Sequence, residues 1–205
     1  VNVLRLDAAI FNTAIPVKAR HAQPMEQYPQ YYPVYFAEVL ALGNPNAQEA
    51  PDFLERFVTD AQWVYAQTQI DSVIQTMPAL AADFSEAFGR YGSMFPDREV
   101  PDVYITNTGF NYGVNAHGAS SSLALGGEFF LGPENPMVKG LPNEVFPAYI
   151  RTQMKPEHLL SSALKGWLIE TYGEAHSEVT MLNLMATYGK IMYTLHLMIP
   201  DEPEQ

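Results

Sequence analysis

The chain of 205 residues contains no cysteine. A disulfide scaffold, a thiolate metal site and a cysteine nucleophile are therefore excluded, and the absence suits an oxidising compartment. No run approaches the roughly 18 apolar residues that a membrane helix needs. The sequence begins at Val1 and shows no signal peptide. We therefore expect a leader upstream of Val1, with any lipid-modified cysteine located there.

Positive charge is also scarce, since 11 Lys and Arg residues face 23 Asp and Glu residues, giving a net charge of −12. Such a chain repels the phosphates of nucleic acid and the headgroups of anionic lipid. We predict no nucleic-acid partner, and contact with a membrane only through an upstream lipid anchor. Hydrophobic residues make up 47% of the chain, enough to build a sizeable core at this length. We therefore predict a single domain over residues 1–205.

The hydrophobic periodicity changes along the chain and predicts the fold class. Period-2 alternation, typical of strands, occurs at the extreme start and in the middle, at residues 1–7, 102–106, 110–115 and 121–126. Helical spacing and end signals predict helices over residues 31–42, 51–70, 78–94, 144–153, 156–171 and 178–198. The prediction is an α+β fold, mostly helical, with a small three- to four-stranded sheet. Its parts are a helical lobe at about 8–95, the sheet at about 100–130 and C-terminal helices at about 144–198.

Asp7 follows the first predicted strand and is a candidate N-cap for the helix that comes next. The methionines of the last predicted helix are interpreted as core residues, because thioethers fill irregular gaps between helices. They are Met181, Met185, Met192 and Met198.

The common catalytic motifs are missing from the sequence. None of the five histidines has a partner at i+4, so the zinc signature H-E-x-x-H is missing, and we predict no cofactor. A metal site assembled from distant residues stays open. No G-x-S-x-G motif occurs, and the serine run 120–122 beside His117 is interpreted as the polar rim of a hairpin. The glycines match no phosphate-binding loop, and no carboxylate pair has a spacing that marks an acid–base pair.

The segment from Tyr28 to Phe36 is the most aromatic part of the chain. Packing of a helix start into the core explains it most simply. The alternative is a groove that binds peptide or sugar, and it requires Tyr31, Tyr32 and Tyr35 to be partly exposed.

Short segments spread along nearly the whole chain share the order found in one protein family. They are Leu4-Arg5-Leu6-Asp7 with Phe11, Tyr28-Pro29 through Leu42-Gly43, Phe84-x-x-Ala87-Phe88 through Phe95-Pro96-Asp97, Val100-Pro101-x-Val103-Tyr104, and Gly109-Phe110-Asn111-Tyr112. They continue with Leu123-Ala124-Leu125, Phe130-Leu131-Gly132, Phe146-Pro147-x-Tyr149-Ile150, Met154-x-Pro156-Glu157, Leu184 with Gly189-Lys190-Ile191-x-Tyr193, and Pro200. The chain resembles the GldB family of gliding-motility lipoproteins from Bacteroidetes.

Two features depart from the family pattern. Gly127 stands where members usually have Asp after the Leu-Ala-Leu strand, and members usually continue well beyond the Gly-Lys helix. The resemblance therefore implies a C-terminal portion that is missing or degenerate after Gln205.

The family is in turn similar to zincin-like metalloprotease domains, in which a small sheet precedes the metal-bearing helix. The resemblance implies that this helix spans about 156–172, where the residues after His158 are Leu, Leu and two Ser. Lys165 and Trp167 also lie in it, and a cationic lysine would repel Zn²⁺. The metal motif is therefore absent, while a peptide-binding cleft beside an edge strand is retained. The resemblance gives as cleft residues Glu157, His158, Lys165, Asn111, Tyr112 and His117.

The resemblance implies a non-catalytic domain of the cell envelope, lipid-anchored in the periplasm or at the outer membrane. It has a binding or scaffolding role in gliding or a related envelope function. Its expected partners are envelope proteins or a peptide or glycan ligand. One alternative is a metal-dependent hydrolase or peptidase with a non-standard site that uses His117, His158 or His176 with nearby carboxylates. The further alternative is a peptide- or glycan-binding protein that uses the aromatic segment.

Overall fold

A computed structural model describes residues 1–118, 121–173 and 180–200. Its four strands are β1 (Val3–Arg5), β2 (Asp102–Thr106), β3 (Val114–His117) and β4 (Ser122–Gly126). They form one sheet in the order β1-β2-β4-β3. Strands β1, β2 and β4 run parallel, and β3 pairs antiparallel with β4 at one edge.

Helices account for 59% of the structure, which confirms the α+β class and its mostly helical character. The α-helices are α1 (Leu6–Phe11), α2 (Val17–Gln27), α3 (Tyr32–Val34), α4 (Ala50–Thr59), α5 (Ala61–Gln75), α6 (Leu80–Met94), α7 (Pro136–Lys139), α8 (Ala148–Arg151), α9 (Leu159–Tyr172) and α10 (Met181–Met198). A π-helical turn at Tyr35–Val39 extends α3, and 3₁₀ turns cover Gly127–Phe130 and Pro156–His158. The division into one domain over residues 1–205 stays a prediction, as does the zincin-like resemblance.

The sheet separates two hydrophobic cores, because successive side chains on a strand point to opposite faces. On one face, Val103 and Leu123 pack with α6, α9 and α10. On the other face, Tyr104 and Ala124 pack with α1, α4 and the aromatic segment. Both faces of the sheet are therefore covered.

The predicted helix over 51–70 is two helices, because the chain turns at Asp60. Its backbone is extended (φ −63°, ψ 126°), and its side chain accepts a hydrogen bond from the Gln62 N–H. Asp60 thus ends α4 and caps α5. The sequence pattern also does not predict α2, because Pro24 lies inside this helix and lacks the N–H that helices use.

The prediction that Asp7 is an N-cap is wrong. Helix α1 already begins at Leu6, before Asp7, and Asp7 lies fully buried in its first turn. The Arg5 guanidinium donates to both Asp7 carboxylate oxygens at 2.8 and 2.7 Å, and the Gln67 amide donates to the same carboxylate at 2.8 Å. Asp7 therefore ties β1 and α1 to α5 rather than capping a helix.

The predicted strand at 110–115 is displaced to Val114–His117 by a tight loop before it. Gly109 and Phe110 both have positive φ, 65° and 62°. The buried Glu128 carboxylate accepts hydrogen bonds from the N–H groups of Thr108 and Phe110, at 2.8 and 3.0 Å. Burial raises the pKa of Glu128. A buried carboxylate therefore holds residues 108–110 in a turn, and the strand begins after it.

The aromatic segment lies in the core, which confirms the simpler interpretation of its sequence, and the alternative of partly exposed tyrosines in a groove is wrong. Tyr31, Tyr32 and Tyr35 are each 0% exposed. The Tyr35 hydroxyl donates to the Asn107 carbonyl at 2.6 Å, and the Tyr31 ring stacks on Tyr104 at 4.7 Å between centroids. Desolvation raises the pKa of Tyr35 well above its ordinary value. The alternative function, in which the aromatic segment binds a peptide or glycan, is therefore wrong.

The interpretation of the α10 methionines as core is wrong for three of four. Met198 is fully buried, but Met181, Met185 and Met192 are exposed. The helix packs on α6 and α9 through its opposite half, which carries Thr187, Ile191, Leu195 and Met198. No helix within the described residues is long and apolar enough to cross a membrane. Two residues named from the sequence, Ser120 and His176, lie outside the described residues.

Candidate functional site

A cleft of about 300 Å³ lies at one end of the sheet, where β2 and β4 begin and β3 ends. Helix α9 forms its other wall. The residues that line the cleft are Glu99, Pro101, Ala116, His117, Gly118, Ser121, Ser122, Trp167, Glu170 and Thr171. They come from three stretches of chain that the fold alone brings together.

Backbone hydrogen bonds hold the lining residue Ser121 next to the start of β2 and to Gly118. The Asp102 N–H donates to the Ser121 carbonyl at 3.1 Å, and the Ser121 N–H donates to the Gly118 carbonyl at 3.2 Å. Ser121 itself has a positive φ of 44°. On the opposite side, Gly166 lets α9 approach β3 closely, since an added Cβ there would lie 2.5 Å from the Val114 side chain.

The cleft is acidic. Glu99 enters from the segment before β2, and Glu170 enters from the last turn of α9. The Ser121 hydroxyl donates to the Glu99 carboxylate at 3.3 Å. No lysine or arginine is among the described residues that line the cleft. The ionisable residues among the described lining are therefore two carboxylates and one imidazole, that of His117.

Trp167 forms the inner wall. Its side chain is only 7% exposed. The rings of Phe88 and Tyr91 pack against it nearly at right angles, with centroids 5.0 and 4.8 Å away. The indole is fixed by these contacts and exposes little of its surface to the cleft.

The outer edge of β3 runs into this cleft. The Gly126 N–H donates to the Gly113 carbonyl at 3.0 Å, so the 113–126 pair is hydrogen-bonded across the β3–β4 ladder. Because such pairs alternate in an antiparallel ladder, the N–H and C=O groups of Val114 and Ala116 point away from β4. Outside the strand ladder, no backbone hydrogen bond between described residues engages them. All four β3 residues are partly exposed.

Of the six predicted cleft residues, only His117 lines the cleft. Asn111 and Tyr112 lie in the loop before β3, where the Asn111 amide donates to the Val39 carbonyl at 3.1 Å. Lys165 is exposed on α9. Glu157 and His158 lie in the 3₁₀ turn before α9, and the His158 Nδ1 is 3.0 Å from the Gln153 carbonyl oxygen.

His21 is a buried histidine, and both of its ring nitrogens lie within hydrogen-bonding distance of protein groups. Its Nδ1 is 3.0 Å from the Tyr32 hydroxyl, and its Nε2 is 2.9 Å from the Pro45 carbonyl oxygen. Within the described residues, no three His, Asp or Glu side chains are placed to hold one metal ion.

Glu99, Trp167 and Glu170 are cleft residues that the sequence pattern does not single out. Acidic residues are common in this chain, so Glu99 and Glu170 carry no local signal. Glu128 is different, because a lone carboxylate inside the apolar run from Leu123 to Leu131 is itself a sign of a buried acid.

The opposite end of the sheet, where the parallel strands finish, is filled by side chains. The Asn107 carbonyl accepts from the Tyr35 hydroxyl, and the Asn107 side-chain amide donates to the Trp63 carbonyl at 3.1 Å. Glu128 accepts from the N–H groups of Thr108 and Phe110. Ligands in open parallel sheets usually bind at these carboxyl ends. Here the described cleft lies at the other end, next to the antiparallel edge strand.

A family model described as gliding motility protein GldB matches residues 1–205, the whole chain. The chain belongs to the GldB family. This family is one of lipoproteins associated with gliding motility, which places it in the cell envelope. Comparisons with curated proteins and with solved structures gave no significant match.

This GldB-family chain has a second distinctive surface, the outward half of α10. Its exposed large apolar residues are Met181, Leu182, Met185, Tyr188, Met192, Tyr193 and Leu197. The whole helix contains no Asp or Glu, in a chain whose net charge is −12. Apolar patches of this kind mark contact surfaces in soluble proteins.

Proposed function

We propose that this GldB-family chain is a non-catalytic binding or scaffolding domain of the gliding machinery or a related envelope system. It sits in the periplasm or at the outer membrane through an upstream lipid anchor. Its task is to bind an extended segment of an envelope protein along β3. The single observation that carries this proposal is the unpaired outer edge of β3, which leads into the acidic cleft.

An extended peptide adds to a sheet edge by pairing its backbone with the unpaired N–H and C=O groups there. Val114 and Ala116 offer these groups on the outer side of β3. Specificity then comes from pockets that take alternate side chains of the peptide. The cleft beside Ala116 is such a pocket, and α9 supports the strand from one face.

The make-up of α9 supports a role without catalysis. It carries Lys165 and Trp167 but no histidine, so the two imidazoles of a zinc-binding helix are not encoded in it. One observation favours the hydrolase alternative, since His117 shares the cleft with Glu99 and Glu170. Metal analysis of the purified protein separates the two functions. Stoichiometric zinc that is lost in His117→Ala would replace binding with hydrolysis as the proposed function.

The binding proposal is tested by selecting a phage library of random decapeptides on the immobilised chain. We expect enriched peptides to bind the wild type and to bind Ala116→Pro at least tenfold more weakly. Proline removes the outward N–H of residue 116, and an edge position tolerates it. Ala116→Ser keeps this N–H and is the matched control. Circular dichroism verifies the fold of both variants. A library without enrichment, or peptides that bind Ala116→Pro as well as Ala116→Ser, would refute the proposal.

A further inference from the structure

We infer that the cleft at the end of β3 takes one basic side chain, lysine or arginine, from the peptide paired on that strand. This inference rests on the proposed function and adds the chemical class of the ligand. It is carried by the charge of the cleft, its size, its wall and its position relative to Ala116.

The charge comes first. Two carboxylates, Glu99 and Glu170, reach the cleft from elements far apart in the sequence, and no lysine or arginine of the described lining neutralises them. A cation in the cleft is attracted by both carboxylates that line it. An ammonium or guanidinium group therefore complements this cleft, whereas an acidic side chain is rejected.

The size fits one side chain. Pockets that bind whole small molecules have volumes of about 300–1,000 Å³, so this cleft, at about 300 Å³, is at the lower limit. Its lining combines apolar Pro101 and Ala116 with the hydroxyls of Ser121 and Thr171. Lysine and arginine have the same two parts, an apolar stem and a charged end that only donates hydrogen bonds.

The wall disfavours a sugar. Sugar sites use the open face of an aromatic ring, but Trp167 is 7% exposed and is fixed between Phe88 and Tyr91. A single metal ion is also disfavoured, because no three described acidic or imidazole groups converge. Among these ligand classes, a basic side chain meets both the charge and the shape of the cleft.

The position of the basic residue follows from the strand geometry. A residue that pairs directly opposite Ala116 points its side chain to the same face of the sheet as Ala116 does. Ala116 lines the cleft, and Ala116 with Val114 faces the core that contains α9. The basic residue of the peptide therefore lies opposite Ala116, and the residues next to it in the peptide point to the other face.

The test begins with the decapeptides selected above. We expect them to share lysine or arginine at one fixed position. A synthetic peptide from this pool is compared with the same peptide carrying norleucine at that position, by isothermal titration calorimetry. Loss of the charge should weaken binding to the wild-type chain at least tenfold. The double variant Glu99→Gln/Glu170→Gln should bind the two peptides equally.

The matched control is the double variant Glu26→Gln/Glu144→Gln, which removes the same charge from exposed positions outside the cleft. It should keep the preference for the basic peptide. Enriched peptides without a fixed basic position, or equal binding of the basic and norleucine peptides to wild type, would overturn this inference and leave edge binding intact. A preference kept in Glu99→Gln/Glu170→Gln would also overturn it. Failure of the proposed function is distinct, since then no library peptide depends on residue 116.

Discussion

The aromatic segment and the outward half of α10 are both rich in large apolar side chains, but the fold treats them oppositely. Tyr31, Tyr32 and Tyr35 are wholly buried. On α10, Met181 is 72% exposed and Tyr193 is 65% exposed. The sequence favours burial of the aromatic segment, which the structure confirms, and predicts that the α10 methionines lie in the core, which is wrong for three of the four.

The difference lies in what each segment meets. The tyrosines lie between α2, α4 and the back of β2, where Tyr104 supplies a ring to stack on and Asn107 supplies an acceptor. The Tyr35 hydroxyl therefore has the partner that a buried hydroxyl needs, whereas the Tyr31 hydroxyl is buried with no hydrogen-bond partner among the described residues. Helix α10 is apolar around most of its circumference, and among the described elements it packs mainly against α6 and α9, through one half. Apolar character by itself therefore does not decide burial.

The largest test of this contrast replaces Tyr35 by alanine. We expect a loss of about 3–5 kcal/mol in the free energy of unfolding, because the cavity adds to the lost transfer energy. Tyr35→Phe removes only the bond to the Asn107 carbonyl and should cost about 1–2 kcal/mol. Tyr193→Ala on α10 is the exposed counterpart and should cost less than about 0.5 kcal/mol. Urea denaturation measures all three, and equal losses for Tyr35→Ala and Tyr193→Ala would contradict the contrast.

A second test concerns Glu128, which lies in the same region as Tyr35; burial, and after it the charge of Glu128, raises the pKa of Tyr35. The pKa of Glu128 lies above its usual 4.5 in the folded chain. Between pH 4.5 and the raised pKa, the folded state therefore binds more protons than the unfolded state. The free energy of unfolding therefore falls as pH rises through this range. Relative to Glu128→Gln, the wild type should lose stability from pH 4 to pH 7. Urea denaturation at both pH values gives the difference in the free energy of unfolding between wild type and Glu128→Gln. A difference that does not change with pH would rule out the raised pKa.

A third test addresses the start of α5, next to the helix α4 that covers the aromatic core. Asp60→Ala removes the side-chain acceptor for the Gln62 N–H and should cost about 1 kcal/mol. Asp60→Asn keeps an acceptor and is the control, expected to stay close to wild type. Thermal unfolding followed by circular dichroism measures both. If asparagine costs as much as alanine, Asp60 does not act as the cap.

The smallest effect is expected on α10. Met185→Ser should change the free energy of unfolding by less than about 0.5 kcal/mol, because the side chain is exposed. It should nevertheless lower the fluorescence of a bound apolar dye such as ANS. Met198→Ser, on the buried half of the same helix, should destabilise clearly. A strong destabilisation by Met185→Ser would mean that this face of α10 is covered.

Local sequence signals predict some elements well. The helix over 78–94 appears as Leu80–Met94, and the strand over 102–106 appears with those limits. Both are long or strongly alternating segments, which depend little on distant neighbours. The strand before Gly118 is displaced because Glu128, which follows β4, organises the loop that precedes β3. No pattern within 110–115 contains that information.

The sequence by itself determined the acidic character of this chain, its α+β class and its membership of the GldB family. These depend on composition, on periodicity and on the order of short segments, all of which are local. Only the tertiary structure decided that the tyrosines do not line an exposed groove, that half of α10 is exposed, and that Glu99, His117 and Glu170 share one cleft. The physical reason is that burial and proximity depend on which elements pack together. A residue's neighbours in space are set by the β3–β4 turn and by the approach of α9, rather than by its neighbours in the chain.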